Sequence, residues 1–288
     1  MAARLPEWIR EKKLNLQQLH EVKTLLRANS LHSVCESLAC PNRSDCFSRG
    51  TATFMILGDV CTRTCGFCNV TTGRPYGPPS ADEPRAVAET ARSMGLRHVV
   101  VTSVTRDDLR NGGAEQFAAT IRELRSALPE AAVEVLTPDF HGNLEAVRIV
   151  VQANPDYYNH NVETVARLYD VVRTGSRFER SLRLLHEVKR LQPAIVTKSG
   201  LMLGLGERRD EVVEVMRRLL QTGCQILTIG QYLQPKREKL DVVEYVHPRV
   251  FDEYQRIGEQ LGFRAVFAGP FVRSSYMADV VAHEAANG

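Results

Sequence analysis

The chain has 288 residues, of which 43% are hydrophobic and 25% charged, enough apolar material for a sizeable core and a composition that excludes a disordered chain. Its 37 basic and 34 acidic side chains leave a net charge of +3, too even a balance for the basic footprint of a nucleic-acid-binding protein. No apolar run approaches the roughly 20 residues of a membrane span. The opening stretch MAARLPEWIREKKLNLQQLH lacks the apolar core of a signal peptide, and Glu7 and Glu11 argue against a transit peptide. The expectation is a soluble, cytoplasmic protein with neither nucleic acid nor membrane as a partner.

Residues 1–30 read as a lead-in helix, with Leu14, Leu16, Leu19, Val22, Leu25 and Leu26 at partly helical spacing. Residues 31–50 form a loop broken by Pro41 and Gly50. From residue 51 short β-rich runs alternate with amphipathic segments. The runs are 52–57, 98–102, 132–136, 156–159, 195–203 and 225–232, and the helical segments are 84–94, 114–128, 144–153, 162–172, 178–191 and 209–221. Such alternation predicts βαβ units on a parallel sheet, and six repeats approach a barrel without completing eight. A linker from Pro235 to Pro248, an amphipathic helix through about Leu261 and a strand-like run at 263–268 follow. The expected division is an N-terminal extension (1–50), a barrel (51–235) and a C-terminal extension (236–288).

Six of the seven cysteines lie between residues 35 and 68, in two triplets, Cys35-x4-Cys40-x5-Cys46 and Cys61-x3-Cys65-x2-Cys68. A disulfide framework belongs to short secreted chains, so the cluster reads as metal or redox chemistry. Structural zinc commonly takes four ligands. Only the first triplet has a histidine near enough, His32, to complete such a set. Iron–sulfur clusters prefer thiolates, and a triplet leaves one iron open to another ligand or a substrate. The second triplet follows the first β-rich run, where barrels carry their reactive groups. There Gly66 permits a tight turn, and backbone amides can soften the charge on sulfur. Cys224, beside Gly223, reads as a small buried apolar residue.

Cys61-Thr-Arg-Thr-Cys65-Gly-Phe67-Cys68 after a strand resembles the cluster loop of the radical S-adenosylmethionine (SAM) superfamily. The first triplet, together with Arg273-Ser274-Ser275-Tyr276, narrows the resemblance to the lipoyl synthase family. So do Val101–Leu109, Gly112-Gly113-Ala114, Asn159–Thr164, Lys198–Glu207 and Gly230–Pro235. The resemblance covers roughly residues 32–280. It implies an α/β fold, a partial (β/α)6 TIM-type barrel with N- and C-terminal extensions and a lateral opening. It also implies two [4Fe-4S] clusters. One is a SAM-binding cluster on Cys61, Cys65 and Cys68. The other is an auxiliary, sacrificial cluster on Cys35, Cys40, Cys46 and Ser275; spacing alone does not choose between Ser274 and Ser275.

The implied reaction inserts sulfur at C6 and C8 of an octanoyl chain on a lysine of a lipoyl carrier domain. Such C–H bonds have no useful acidity, so acid–base catalysis cannot open them and a cofactor must carry the step. The implied carriers are the glycine cleavage H protein and 2-oxoacid dehydrogenase E2 subunits. The other implied partners are an electron donor such as ferredoxin or flavodoxin and an iron–sulfur carrier protein. For SAM itself, Phe67, Gly112, Gly113, Asn161, Glu163, Lys198 and Arg209 are the candidate contacts. Phe67 would lie near adenine, the glycines near the methionine amine, Asn161 and Glu163 at the ribose, and Lys198 or Arg209 at the carboxylate. Packing for Phe67, a turn for the glycines, a helix cap for Asn161 and Glu163 and a solvated helix start for Arg209 compete with those roles. Asp139 and His141 could face the cavity or cap a loop. The alternatives for the whole chain are another sulfur-inserting radical SAM enzyme, biotin synthase-like, and a non-catalytic zinc-binding module. The absence of an exposed heptad points to a monomer.

Overall fold

The computed structural model describes residues 6–10, 16–29, 31–33 and 42–275, so Cys35, Cys40 and Tyr276 lie outside the described residues. The strands in chain order are β1 (His32–Ser33), β2 (Thr51–Ile56), β3 (Val60–Cys61), β4 (Thr71–Thr72), β5 (His98–Ser103), β6 (Ala132–Leu136), β7 (Tyr157–Asn159), β8 (Val196–Leu203), β9 (Ile226–Gln231) and β10 (Ala265–Gly269). Eight of them form one sheet in the order β1-β2-β5-β6-β7-β8-β9-β10, and β3 pairs with β4. Only β1 runs antiparallel to its neighbour in the large sheet; β2 to β10 are parallel. Strand order follows chain order, as in the wall of a barrel. Among the described residues β1 and β10 are the two edges and do not pair with each other. The fold is α/β, and the six predicted βα units are all present. Beyond the count of six, β10 extends the sheet from within residues 236–288.

Burial on both faces explains why the strands are apolar throughout rather than alternating. On the outer face Val99, Val101, Val133 and Val135 pack with the helices Glu83–Ser93, Ala114–Ala127 and Leu144–Gln152. Leu201, Leu203, Leu227 and Ile229 pack with the helices Arg209–Gln221 and Pro248–Leu261. The intervening residues face the barrel interior. Each helix carries its apolar side chains on one stripe, such as Leu182, Leu185 and Val188 in Phe178–Leu191.

One predicted helix is interrupted. Residues 162–165 are not helical; a 3-10 turn at Ala166–Leu168 and a short helix at Tyr169–Val172 replace it. Glu163 is drawn into the sheet instead, donating its N–H to Gly200 C=O (3.0 Å) and accepting from Met202 N–H (2.9 Å). Its φ of 66° places it in the left-handed region, a conformation that costs free energy in a non-glycine residue and occurs at functional sites.

Candidate active site

The second cysteine triplet sits on β3 and the loop to β4, at the C-terminal end of β2. Cys61, Cys65 and Cys68 are half-buried, and none is in a disulfide. Two backbone amides point at Cys61 Sγ, from Thr105 (3.3 Å) and Arg63 (3.4 Å). Gly66 donates to Val172 C=O (3.0 Å) and accepts from Leu240 N–H (3.1 Å). A Cβ at Gly66 would lie 2.8 Å from the Leu240 side chain and 2.9 Å from Val171 C=O, so the loop fits only with glycine there. Burial pushes the Cys65 thiol up to about 11, with Arg173 acting in the opposite direction, and burial also raises Cys68.

Arg63 fixes this loop to its surroundings. Its guanidinium is bidentate to Asp107 (2.7 and 2.8 Å), reaches Asp139 Oδ1 at 2.6 Å and donates to Ser176 Oγ at 2.9 Å. Arg180 also pairs with Asp139, at 3.1 Å. One buried cation thus joins the loops that follow β2, β5 and β6 to the segment before the helix Phe178–Leu191. Asp139 both caps His141 N–H (3.1 Å) and belongs to this network, whereas the His141 side chain is exposed.

A cavity of about 430 Å³ opens at the C-terminal ends of the strands. Phe67 from the cysteine loop, with Asn161 and Glu163 after β7, forms part of its wall. Cys46 and Asn42 from the N-terminal extension, with Val272 to Ser275 from the C-terminal one, form another part. Asn42 Nδ2 donates to Phe271 C=O at 2.6 Å, tying the two extensions together. Leu136, Leu201, Met202, Tyr232 and Leu233 make much of the remaining lining apolar.

The lining atoms suit a ligand with hydroxyl groups. Asn161 Oδ1 is buried at the cavity without a hydrogen-bond partner, an acceptor that a bound hydroxyl would satisfy. Burial raises the Glu163 carboxyl, opposed by Arg173 and by a bond from Asn161. Arg173 is itself buried, donating to Asn161 C=O (2.5 Å) and Ser181 Oγ (3.1 Å).

The sequence comparisons settle which family this architecture belongs to. Residues 55–219 match the Radical SAM superfamily. The lipoyl synthase of Caldanaerobacter subterraneus subsp. tengcongensis is 55% identical over 280 residues, covering 97% of this chain and 98% of that protein. The chain belongs to the lipoyl synthase family. The lipoyl synthase of Methylococcus capsulatus is 54% identical, covering 96% of this chain and 86% of that protein. Among solved structures, the [FeFe]-hydrogenase maturase HydG superposes with a TM-score of 0.58 at 13% identity, covering 89% of this chain and 65% of that one. Methylornithine synthase gives 0.56 at 13% identity, covering 91% and 87%. Both show the shared fold.

Not every residue expected at a lipoyl synthase SAM site reaches the cavity. Phe67, Asn161 and Glu163 line it, as do Cys46 and Ser275. Lys198 does not: its fully buried ammonium lies 3.2 Å from Glu134 Oε1, so its charge is taken up inside the sheet rather than offered to a ligand. Arg209 is exposed at the first turn of its helix, outside the lining. Gly112 and Gly113, at φ 59° and 88°, form the turn into the helix Ala114–Ala127, and a side chain at either would strike Phe140 or Leu57. Backbone geometry and packing account for both, and neither lines the cavity. Arg63, Asp107 and Arg173 escape sequence reasoning because no periodicity marks a charge whose partners lie on other loops. The signal available was an arginine inside the cysteine motif itself.

Proposed function

We infer that this chain performs radical SAM sulfur insertion at C6 and C8 of an octanoyl chain carried on a lysine of a lipoyl carrier domain, the activity of a lipoyl synthase. One observation carries this reading beyond family membership. A single, largely apolar cavity is walled on one side by Phe67, Asn161 and Glu163 and on another by Cys46 and Ser275. An acyl chain in it would lie between the two expected reaction partners, a hydrogen-abstracting centre and a sulfur donor.

The donor set supports iron–sulfur occupancy at Cys61, Cys65 and Cys68: three reduced sulfurs on one short loop, with amides aimed at Cys61 Sγ. When bound, the cluster and SAM supply one-electron chemistry that opens an unactivated C–H bond, and an auxiliary cluster supplies sulfide. The chain's own residues do the rest. Arg63 holds the cysteine loop against Asp107 and Asp139. Asn161 and Glu163 offer an acceptor and a carboxylate to the ribose hydroxyls. Phe67, Tyr232 and Met202 exclude water from the site, which keeps a reactive carbon centre from side reactions. Ser275 would complete the ligand set of Cys35, Cys40 and Cys46 with an oxygen, a harder ligand than thiolate. The glycine cleavage H protein and E2 subunits are the proposed carriers, with a ferredoxin or flavodoxin as electron donor and an iron–sulfur carrier protein for repair.

Iron and sulfide content after anaerobic reconstitution tests the reading. About eight irons per chain are expected for the wild type. About four are expected when Cys61, Cys65 and Cys68, or Cys35, Cys40 and Cys46, are replaced by Ala. Zinc in place of iron, or about four irons in the wild type, would overturn the two-cluster assignment. Conversion of an octanoyl-lysine peptide with SAM and a reductant then tests the reaction itself.

A further inference from the structure

The reaction as described leaves Arg173 without a part. It is 8% exposed, and its guanidinium meets only uncharged groups. These are Asn161 C=O at 2.5 Å, Ser181 Oγ at 3.1 Å, the Tyr169 hydroxyl at 3.3 Å and His160 Nε2 at 3.4 Å. Burial keeps Tyr169 a phenol and His160 neutral. Of the nearby carboxyls, Asp139 is taken up by Arg63 and Arg180, and burial pushes Glu163 toward its neutral form. A buried cation with no carboxylate in contact is costly, so it calls for an anion that arrives from outside the chain.

The cysteine loop packs against the turn that carries Arg173, on both sides of it. Before it, Val172 C=O accepts from Gly66 N–H at 3.0 Å, and a Cβ at Gly66 would lie 2.9 Å from Val171 C=O. After it, Ser176 Oγ accepts from Arg63 at 2.9 Å, and a Cβ at Gly175 would lie 3.8 Å from Arg63 Cδ. Arg63 and Gly66 bracket Cys65 in the chain, so Arg173 and this cysteine sit at the centre of one contact. Cys65 feels the charge: burial raises its thiol, and Arg173 is the foremost group pulling it down. Lys239, which acts on Cys68, is only half-buried and more strongly screened by solvent.

We propose that Arg173 is the fixed counter-charge of the iron–sulfur cluster at Cys61, Cys65 and Cys68, and that its charge raises the cluster's reduction potential. The proposal rests on the iron–sulfur reading above. A [4Fe-4S] core in its doubly positive state, held by three thiolates, is a net monoanion and becomes a dianion on taking up one electron. A buried cation stabilises the dianion more than the monoanion, so the cluster is easier for its electron donor to reduce. The electron comes from that donor and stays on the cluster; no bond forms or breaks at Arg173, which acts through its charge alone.

The test is an anaerobic redox titration of the reconstituted chain without SAM, read by the electron paramagnetic resonance signal of the reduced cluster. Replacing Cys35, Cys40 and Cys46 by Ala in the parent chain leaves one cluster to contribute. At a fixed potential, Arg173→Gln should lower the reduced-to-oxidised ratio by about tenfold, or about 59 mV for a one-electron couple. Arg173→Lys keeps the charge and should stay near the parent. Ser181→Asp neutralises Arg173 in place, because Ser181 Oγ already lies 3.1 Å from the guanidinium. It should lower the ratio in the same direction, and it answers the question even where Arg173→Gln does not take up iron. An unchanged ratio in Arg173→Gln or in Ser181→Asp overturns the proposal. So does an equal fall in the Gln and Lys variants, which would mean that the shape of the side chain matters and its charge does not. A parent chain that binds no iron would instead sink the iron–sulfur reading.

Discussion

Arg63 lies between the first two cysteines of the loop, and its guanidinium is the point where three loops meet. Replacing it with Met leaves Asp139, whose side chain has no solvent exposure, with Arg180 as its remaining ion-pair partner. The expected cost is roughly 2–4 kcal/mol, read by denaturant unfolding, with cluster loading reduced in step. A loss below about 0.5 kcal/mol would show that the network is not holding the loop. His160 gives a prediction in pH. Its Nδ1–H donates to Thr137 C=O (2.8 Å), and Nε2 accepts from Ser181 (3.0 Å) with Arg173 Nη2 nearby at 3.4 Å. Burial and the facing guanidinium lower its pKa to about 3, so the folded state keeps it neutral. An unfolded histidine titrates near 6.5. Between pH 6.5 and about 3 the unfolded chain therefore binds the extra proton, and folding stability falls as pH falls. The slope is at most about 1.4 kcal/mol per pH unit. His160→Gln should flatten stability measured between pH 6.5 and 4.5; an unchanged slope would place the titrating group elsewhere.

At the scale of elements, the helix Pro248–Leu261 docks on β10 through Gly258. A Cβ there would lie 2.5 Å from Val266 Cγ2 and 2.9 Å from Met216 Cε. In an exposed helix Gly→Ala is worth about 1 kcal/mol of stabilisation. Here overpacking is the larger effect, and Gly258→Ala should destabilise by about 1–3 kcal/mol. Thermal unfolding decides the sign, and a raised midpoint would show that the contact relaxes freely. The consequence reaches the site because β10 leads directly into Phe271–Ser275. The interrupted helix at 162–165 belongs to this scale as well. Its apolar spacing is helical, yet two ladder hydrogen bonds from β8 capture Glu163 and hold it on the cavity wall.

At the scale of the molecule, the barrel alone does not complete the cavity. Asn42 and Cys46 come from before β2, and Val272–Ser275 from after β10. Ending the chain after Gly269 keeps every strand of the sheet among the described residues but removes that wall. We expect such a chain to fold and to load about half the iron of the full chain, measured per chain after reconstitution. Full loading would mean that the C-terminal segment contributes no ligand. No helix among the described residues is long and apolar enough to cross a membrane.

The fold was legible in the sequence because βα alternation is a local pattern: apolar runs of strand length, each followed by a one-sided helix, need no knowledge of partners. That Cys61, Cys65 and Cys68 share one loop was legible too, because they are close in the chain. Lys198 and Arg209 show where that reasoning stops. Each was a plausible cation for a carboxylate, and nothing in the chain says that Glu134 takes up one while solvent surrounds the other. Charges act through space, so their partners are set by strand register and by which loops converge. The sequence by itself determined the element order, the family and the spacing of the three cysteines in the loop after β2. Tertiary structure alone decided that Phe67, Asn161, Glu163, Cys46 and Ser275 share one cavity, and that Lys198 is held in a buried ion pair.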